Sequence, residues 1–208
     1  MSSTSLLLLI VAITSMASTA SARSIINNTA KMLNGDDNEG GNQNLLVSMA
    51  CNHTIYTQVC LSSLNSDPRT RSATDMQGIA EIALDLSIAY GVNAVASVHK
   101  MKSNYSSASN YVLGCLSDCL EEYYDAISNL NDSMEALKNK SYDTVNELVS
   151  GAMTDSDTCE DGFKEMADEG RRDDADQADD ETTSPLTDTN QFFFQLCSNV
   201  LAITKVLV

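Results

Sequence analysis

Apolar residues recur at helical spacing along most of this chain. Four long segments carry them three and four positions apart, the pattern of a helix that buries one face. They cover about residues 75–103, 111–138, 142–164 and 190–208. In the second segment the regularly spaced residues are Val112, Leu116, Cys119, Tyr123, Ala126, Leu130, Met134 and Leu137. Because the links are short, apart from one acidic stretch, the pattern predicts an up-and-down four-helix bundle.

Two shorter apolar stretches precede the bundle. Leu45 to Cys51 is separated by a few polar residues from a second stretch that ends near Leu64. In one straight helix the Cα atoms of Cys51 and Cys60 would lie about 13 Å apart, whereas a disulfide needs about 4.4–6.8 Å. If these cysteines pair, the chain must reverse between them, with Thr54 capping the second helix; otherwise each pairs elsewhere. The favoured architecture is therefore all-α, an N-terminal helical hairpin packed beside the four-helix bundle.

Two segments lack a regular apolar pattern. Residues 23–44 hold few large apolar side chains and a run of turn-forming residues, which predicts a flexible leader before a folded domain at 45–208. Residues 165–189 begin with many closely spaced acids and almost no large apolar side chain. This composition predicts a solvated acidic loop inserted into the domain.

Residues 1–22 are typical of a secretory signal peptide. Leu6 to Ile13 is an unbroken apolar run, and residues 20–22 have the small-x-small form of a cleavage site. Neither this run nor any other stretch reaches the roughly 18–20 apolar residues of a membrane-spanning helix, so we expect a secreted, extracellular protein. Five Asn-x-Ser/Thr sequons fit that compartment and are candidate glycosylation sites: Asn27, Asn52, Asn104, Asn131 and Asn139.

The charge of the chain narrows the class of partner. It has 29 Asp and Glu against 12 Lys and Arg, a formal net charge of −17. A nucleic acid or an anionic membrane would repel such a protein. The charge therefore favours a basic protein partner, or none.

In a secreted protein, six cysteines are first interpreted as disulfides, and they allow 15 pairings. Cys115 and Cys119 lie one turn apart on one helix with roughly parallel side chains, so a bond between them is unfavourable. A Cys119–Cys159 bond would tie the second bundle helix to the third. Cys115 and Cys197 are then left over, either to pair across helices or to stay as buried thiols.

The sequence carries no pattern typical of an enzyme. His53 and His99 are the only histidines, and neither belongs to a Gly-x-Ser-x-Gly nucleophile motif. The spacing of zinc ligands is absent, and the acids of 165–189 lack the glycine and spacing of an EF-hand loop. Adjacent carboxylates such as Glu121 and Glu122 do not converge on one helix face. We therefore expect a protein that is not an enzyme and that holds neither a metal nor a cofactor.

Several short motifs, in their order and spacing, resemble one known family. They are the Cys51-x8-Cys60 hairpin, Leu64–Arg69, Gly78, Cys119–Ile127, Asn146 with Ser150–Met153, Thr158–Phe163 and Leu196–Ile203. Over about 45–208 the chain resembles the plant invertase and pectin methylesterase inhibitor family, with some likeness to its pollen-type members. The resemblance implies a hairpin beside a four-helix bundle, with disulfides Cys51–Cys60 and Cys119–Cys159. Cys197 matches a position where some members carry an unpaired cysteine, whereas Cys115 lies outside the family pattern.

The resemblance also implies a function. Family members block either pectin methylesterase or acid invertase by laying bundle helices over the enzyme's substrate cleft. Invertase inhibitors can carry a Pro-Lys-Phe element near the link between the second and third bundle helices, where this chain reads Asn139-Lys140-Ser141-Tyr142-Asp143. Thr158 matches a threonine associated with contact to pectin methylesterase.

We therefore expect a secreted inhibitor of pectin methylesterase in the apoplast or cell wall. Inhibition of a cell-wall or vacuolar invertase is the alternative, and a non-inhibitory secreted pollen or wall protein is the second alternative. The contact surface is expected on the second and third bundle helices. Its candidate residues are Tyr142, Asp143, Asn146 and Thr158.

Overall fold

The computed structural model describes residues 40–104, 110–170 and 184–208, with side chains at 45–104, 110–164 and 184–208. Nearly all of these residues are helical, and no strand occurs among them, so the all-α prediction is confirmed. The α-helices are α1 (Gly40–Cys51), α2 (Thr57–Ser66), α3 (Met76–Asn104), α4 (Asn110–Lys138), α5 (Tyr142–Gly170) and α6 (Thr187–Thr204), with 3₁₀ segments at Pro68–Ser72 and Lys205–Leu207.

The four long helices α3 to α6 form the predicted bundle. α4 lies between α3 and α5, and α6 lies between α5 and α3, so that each helix contacts two neighbours around a shared core. Tyr123, Phe163 and Phe193 are among the largest side chains that are fully buried in that core. The rings of Tyr123 and Phe193 meet edge to face with their centroids 5.4 Å apart. This aromatic contact joins the centres of α4 and α6.

Helix α3 is long and rich in apolar residues. It begins after Asp75, whose Oδ1 accepts a hydrogen bond from the Gly78 N–H at 2.9 Å and so caps the helix. By length and composition α3 could cross a membrane, which corrects the expectation that no second stretch approaches that length. Its apolar residues reflect burial in the bundle core, where Ile79, Leu84 and Val98 are fully covered.

The N-terminal hairpin reverses where the sequence predicts. Cys51 and Cys60 form a disulfide with a Cα–Cα distance of 5.5 Å, and α2 packs against α3 and α6. The predicted cap is wrong, because α2 begins at Thr57 rather than after Thr54. The Thr54 hydroxyl instead donates to the Cys51 carbonyl oxygen at 3.0 Å and is buried in the turn.

Several predicted boundaries shift. Helix α1 begins at Gly40, inside the predicted leader, and α5 continues to Gly170, inside the predicted acidic insert. At the other end of the insert, Leu186 is fully buried and α6 already begins at Thr187. The buried Leu186 and the hydrogen bond from Thr187 to Glu160 fix the start of α6, although the neighbouring sequence is polar. The signal peptide, most of the leader, Asn27 and residues 171–183 lie outside the described residues.

Candidate functional site

Charge is segregated between the helices of this fold. Residues 110–164, which span α4 and most of α5, contain twelve acids and three lysines. Residues 40–66 contain no Asp, Glu, Lys or Arg, and residues 189–208 contain only Lys205. We call the outer surface of α4 and α5 the acidic face. Its exposed acids are Asp118, Glu121, Asp125, Asp132, Glu135, Asp143, Glu147, Asp157 and Asp161.

A disulfide holds the two helices of the acidic face together. Cys119 on α4 and Cys159 on α5 are bonded, with a Cα–Cα distance of 4.7 Å, and both are buried. This is the second of the two pairs implied by the family resemblance. Because the bond joins interior turns of α4 and α5, sliding of one helix along the other would require its distortion.

A polar network surrounds this disulfide and adds α6 to the assembly. The Tyr123 hydroxyl donates to Asn190 Oδ1 at 2.8 Å, and Asn190 Nδ2 donates to Glu160 Oε2 at 2.9 Å. Glu160 Oε1 also accepts from the Thr187 hydroxyl at 2.8 Å. Thr187 and Asn190 belong to the first turns of α6, where a carboxylate is favoured by the helix dipole. The network therefore fixes the start of α6 against α4 and α5.

Hydrogen bonds also fasten both ends of the acidic face. Near the start of α4, the Tyr111 hydroxyl donates to the Phe163 carbonyl oxygen at 2.7 Å. Near the end of α4, Gln77 Nε2 donates to the Leu137 carbonyl oxygen at 2.9 Å. The Tyr142 hydroxyl then reaches Gln77 Oε1 at 3.4 Å. The acidic face is consequently held at both ends and by the disulfide between them.

The link between α4 and α5 is a Schellman motif. Lys140 has a φ of 57°, its N–H donates to the Leu137 carbonyl oxygen at 3.0 Å, and the Ser141 N–H donates to the Ala136 carbonyl oxygen at 2.9 Å. These are the two bonds that close such a C-terminal cap. Glycine is the usual residue in this left-handed position, so Lys140 holds a strained conformation.

The structure divides the four predicted contact residues between two places. Tyr142, Asp143 and Asn146 lie in the first turns of α5 beside the C-terminal Lys205. Thr158 lies 12 residues beyond Asn146, which is roughly 18 Å along a helix axis. Asp143, Asn146 and Thr158 are exposed, whereas Tyr142 is half-buried. The residues therefore share a helix but do not converge on a single point.

Two acids that were not among the predicted site residues lie at the joint between α4 and α5. Glu122 and Asp155 are both partly buried, and Asn129 Nδ2 donates to Asp155 Oδ2 at 3.2 Å. Burial, followed by the nearby charges of Asp155 and Asp125, raises the pKa of Glu122. Burial also raises the pKa of Asp155. Their positions beside the apolar stripes were the sequence signal that could have revealed them.

The two remaining cysteines are buried thiols rather than a third disulfide. Cys115 Sγ lies 3.8 Å from the Gly162 carbonyl oxygen at the α4–α5 contact, while Cys197 is fully buried on α6. Burial raises the pKa of both thiols. Neither is poised as a thiolate nucleophile. Among the side chains that the structure describes, no group of three or more His, Cys, Asp and Glu could hold a metal ion.

The described sequons differ in their local setting. Asn52 lies in the hairpin turn and Asn139 in the α4–α5 link, both exposed. Asn104 is the exposed last residue of α3. Asn131 lies within α4, where its Nδ2 donates to the Ile127 carbonyl oxygen at 2.7 Å. All four are therefore exposed, and only Asn131 has its side-chain amide bonded within its own helix.

Comparison with known proteins identifies the family. A family profile described as "Plant invertase/pectin methylesterase inhibitor" matches residues 45–203. The chain is 35% identical over 149 residues to "Putative invertase inhibitor" from Platanus orientalis, covering 71% of this chain and 78% of the relative. It is 31% identical over 127 residues to "Pectinesterase inhibitor" from Actinidia deliciosa, covering 59% of this chain and 64% of the relative. A crystal structure of mutant form A of a pectin methylesterase inhibitor from Arabidopsis has the same fold, with a TM-score of 0.58 and 22% identity over 76% of this chain and 95% of that chain. The chain therefore belongs to the plant invertase/pectin methylesterase inhibitor family.

Proposed function

We propose that this protein inhibits pectin methylesterase by placing the acidic face over the enzyme's substrate cleft. Its family is one of inhibitors rather than enzymes. The observation that carries the proposal is the acidic face itself, a rigid and exposed surface that displays Thr158 on α5. The proposed site of action is the apoplast or cell wall, and the contact residues are Tyr142, Asp143, Asn146 and Thr158.

Charge segregation supports this choice of surface. A basic enzyme would be attracted to the acids of α4 and α5 and would meet no acid on α1 and α2. Complementary charges of this kind accelerate and orient the encounter of two proteins. The charge asymmetry therefore favours docking through α4 and α5.

Rigidity supports it as well. The Cys119–Cys159 disulfide and the hydrogen bond from Asn190 to Glu160 order the helices before any target binds. A preorganised surface loses little conformational entropy on binding. This allows an interface of ordinary size to bind tightly.

Inhibition of an acid invertase is the second candidate function. The relative from Platanus orientalis, 35% identical to this chain, carries the name of an invertase inhibitor. Against this, the α4–α5 link reads Asn139-Lys140-Ser141 in place of the Pro-Lys-Phe element. The link instead forms a tight cap in which Lys140 is left-handed.

The test compares both targets with the same purified protein. We expect it to lower the activity of a plant pectin methylesterase at mildly acidic pH and to leave a cell-wall invertase active. Thr158→Ala should weaken the inhibition, because this exposed side chain bonds only within its own helix, to the Thr154 carbonyl oxygen at 3.0 Å, and its loss leaves the fold intact.

Ser97→Ala is the matched control, because Ser97 is an exposed residue of α3 with the same type of bond, to the Asn93 carbonyl oxygen at 2.9 Å. It should inhibit as the unmodified protein does. Inhibition of invertase alone would contradict this proposal and support the second candidate function. Inhibition of neither enzyme would support the non-inhibitory alternative.

A further inference from the structure

A small cavity lies where the hairpin meets the bundle. It is lined by residues of α2, α3 and α6, is partly open to solvent, and has mostly apolar walls. The two polar side chains in its lining are Ser63 from α2 and Asn199 from α6. The space open to a water-sized sphere is about 10 Å³, and one water molecule needs roughly 10–15 Å³ by that measure.

Asn199 is the unusual group in this lining. The residue is only 3% exposed, and neither its Oδ1 nor its Nδ2 has a hydrogen-bond partner among the described residues. Buried amides are nearly always paired, because an unpaired one loses its bonds to water without compensation. Asn199 is therefore a buried amide without a protein partner among the described residues, and it lies beside the space that it lines.

Asn190 on the same helix shows the contrasting case. It is 4% exposed, so it is as deeply buried as Asn199. Its amide oxygen accepts from Tyr123 and its amide nitrogen donates to Glu160. The two amides are thus equally buried, but only that of Asn190 is hydrogen-bonded to protein groups.

We propose that the joint between the hairpin and the bundle binds one ordered water molecule, held by the side-chain amide of Asn199. The water donates to Asn199 Oδ1 or accepts from Nδ2, and the Ser63 hydroxyl on the opposite helix is its second partner. Buried waters typically make two to four such bonds. In this way the water bridges α6 to α2 in addition to their apolar contact.

The first test is a crystal structure of the full mature chain at a resolution that shows ordered water. A water peak within about 2.7–3.2 Å of Asn199 Oδ1 or Nδ2 supports the proposal. The Asn190 amide is the internal control and should be bonded to Tyr123 and Glu160 without an intervening water. Direct bonding of Asn199 to a protein group, or a cavity closed by shifted side chains, would overturn the proposal.

A pair of leucine variants tests the same point in solution. Asn199→Leu removes only a water-bridged amide and places apolar atoms in an apolar cavity, so its unfolding midpoint should stay within ~3 °C of the unmodified protein. Asn190→Leu leaves the Tyr123 hydroxyl and Glu160 without their partner, so the unfolding midpoint of this variant should fall by ~5 °C or more. If Asn199→Leu falls as far as Asn190→Leu, Asn199 has direct protein partners and the bridging water is excluded.

Discussion

Removal of the Cys119–Cys159 disulfide should cost more stability than removal of Cys51–Cys60. The chain-entropy model relates the stabilisation to the length of the closed loop. The Cys119–Cys159 bond closes a sequence separation of 40 residues and Cys51–Cys60 a separation of 9. At 25 °C the model gives about 3.9 kcal/mol for the longer loop and about 2.6 kcal/mol for the shorter one. The expected difference in the free energy of unfolding is therefore about 1.3 kcal/mol.

The two bonds form a well-matched comparison. All four cysteines are at most 3% exposed, so replacing either pair by alanine creates cavities of similar size and setting. The Cys159 sulfur also accepts a hydrogen bond from Asn190 Nδ2 at 3.4 Å. Because Asn190 keeps its stronger bond to Glu160, loss of the sulfur should change the difference little.

The assay is urea unfolding followed by circular dichroism. Cys119→Ala/Cys159→Ala and Cys51→Ala/Cys60→Ala are each compared with a Cys115→Ala/Cys197→Ala parent, because the two free thiols could otherwise exchange with the remaining disulfide. Equal m-values would show that the variants expose similar surface on unfolding. If the hairpin variant loses as much stability as the bundle variant, loop length does not control the contribution of these bonds.

Three further predictions concern α3, α4 and the α4–α5 link. Lys140→Gly should stabilise the protein by about 0.5–1 kcal/mol by relieving the left-handed φ, whereas Lys138→Gly, at the last residue of α4, should destabilise it. Chemical denaturation measures both changes, and a loss of stability at Lys140 would contradict the strain. The raised pKa of Glu122 means that the folded state binds this proton more tightly than the unfolded state does. The contribution of the protonated side chain to stability is therefore full below the unfolded-state pKa and is lost as the pH rises through the folded-state pKa. Glu122→Gln should therefore stabilise the protein at pH 7 and have little effect near pH 3, with the exposed Glu121→Gln as control; thermal unfolding across this range tests the sign, and a gain confined to low pH would reverse it. Gly114→Ala should raise the free energy of unfolding by about 1 kcal/mol, because its Cβ would meet no atom within 4 Å. Gly91→Leu should lower it by about 1–3 kcal/mol, because a Cβ there already lies 3.1 Å from both Ile127 and Phe193. The same denaturation assay compares the two variants, and equal effects would refute the close approach of α3.

The long helices could be predicted from the sequence because helical periodicity is local. A stripe such as Val112, Leu116 and Cys119 faces one direction whatever it later contacts. The hairpin could be inferred as well, because nine residues of straight helix cannot bring Cys51 and Cys60 within bonding distance. These inferences need only the geometry of one element and its nearest turn.

Element ends were less predictable, because neighbouring helices supply interactions that a local pattern does not contain. The start of α6 at Thr187 depends on Glu160, which is 27 residues earlier in the chain. Leu186 looked like part of a polar insert and is fully buried. Thr54 looked like a helix cap and instead completes the preceding turn.

The sequence by itself determined the class of fold, the hairpin, the acidic character and the resemblance to an inhibitor family. Only the tertiary structure decided that Cys115 and Cys197 stay unpaired thiols and that Leu186 is buried in the core. It also decided that Asn190 finds protein partners while Asn199 faces a cavity. The physical reason is that periodicity sets the direction of a side chain from its own helix, whereas its partners depend on the rotation and offset at which two helices pack.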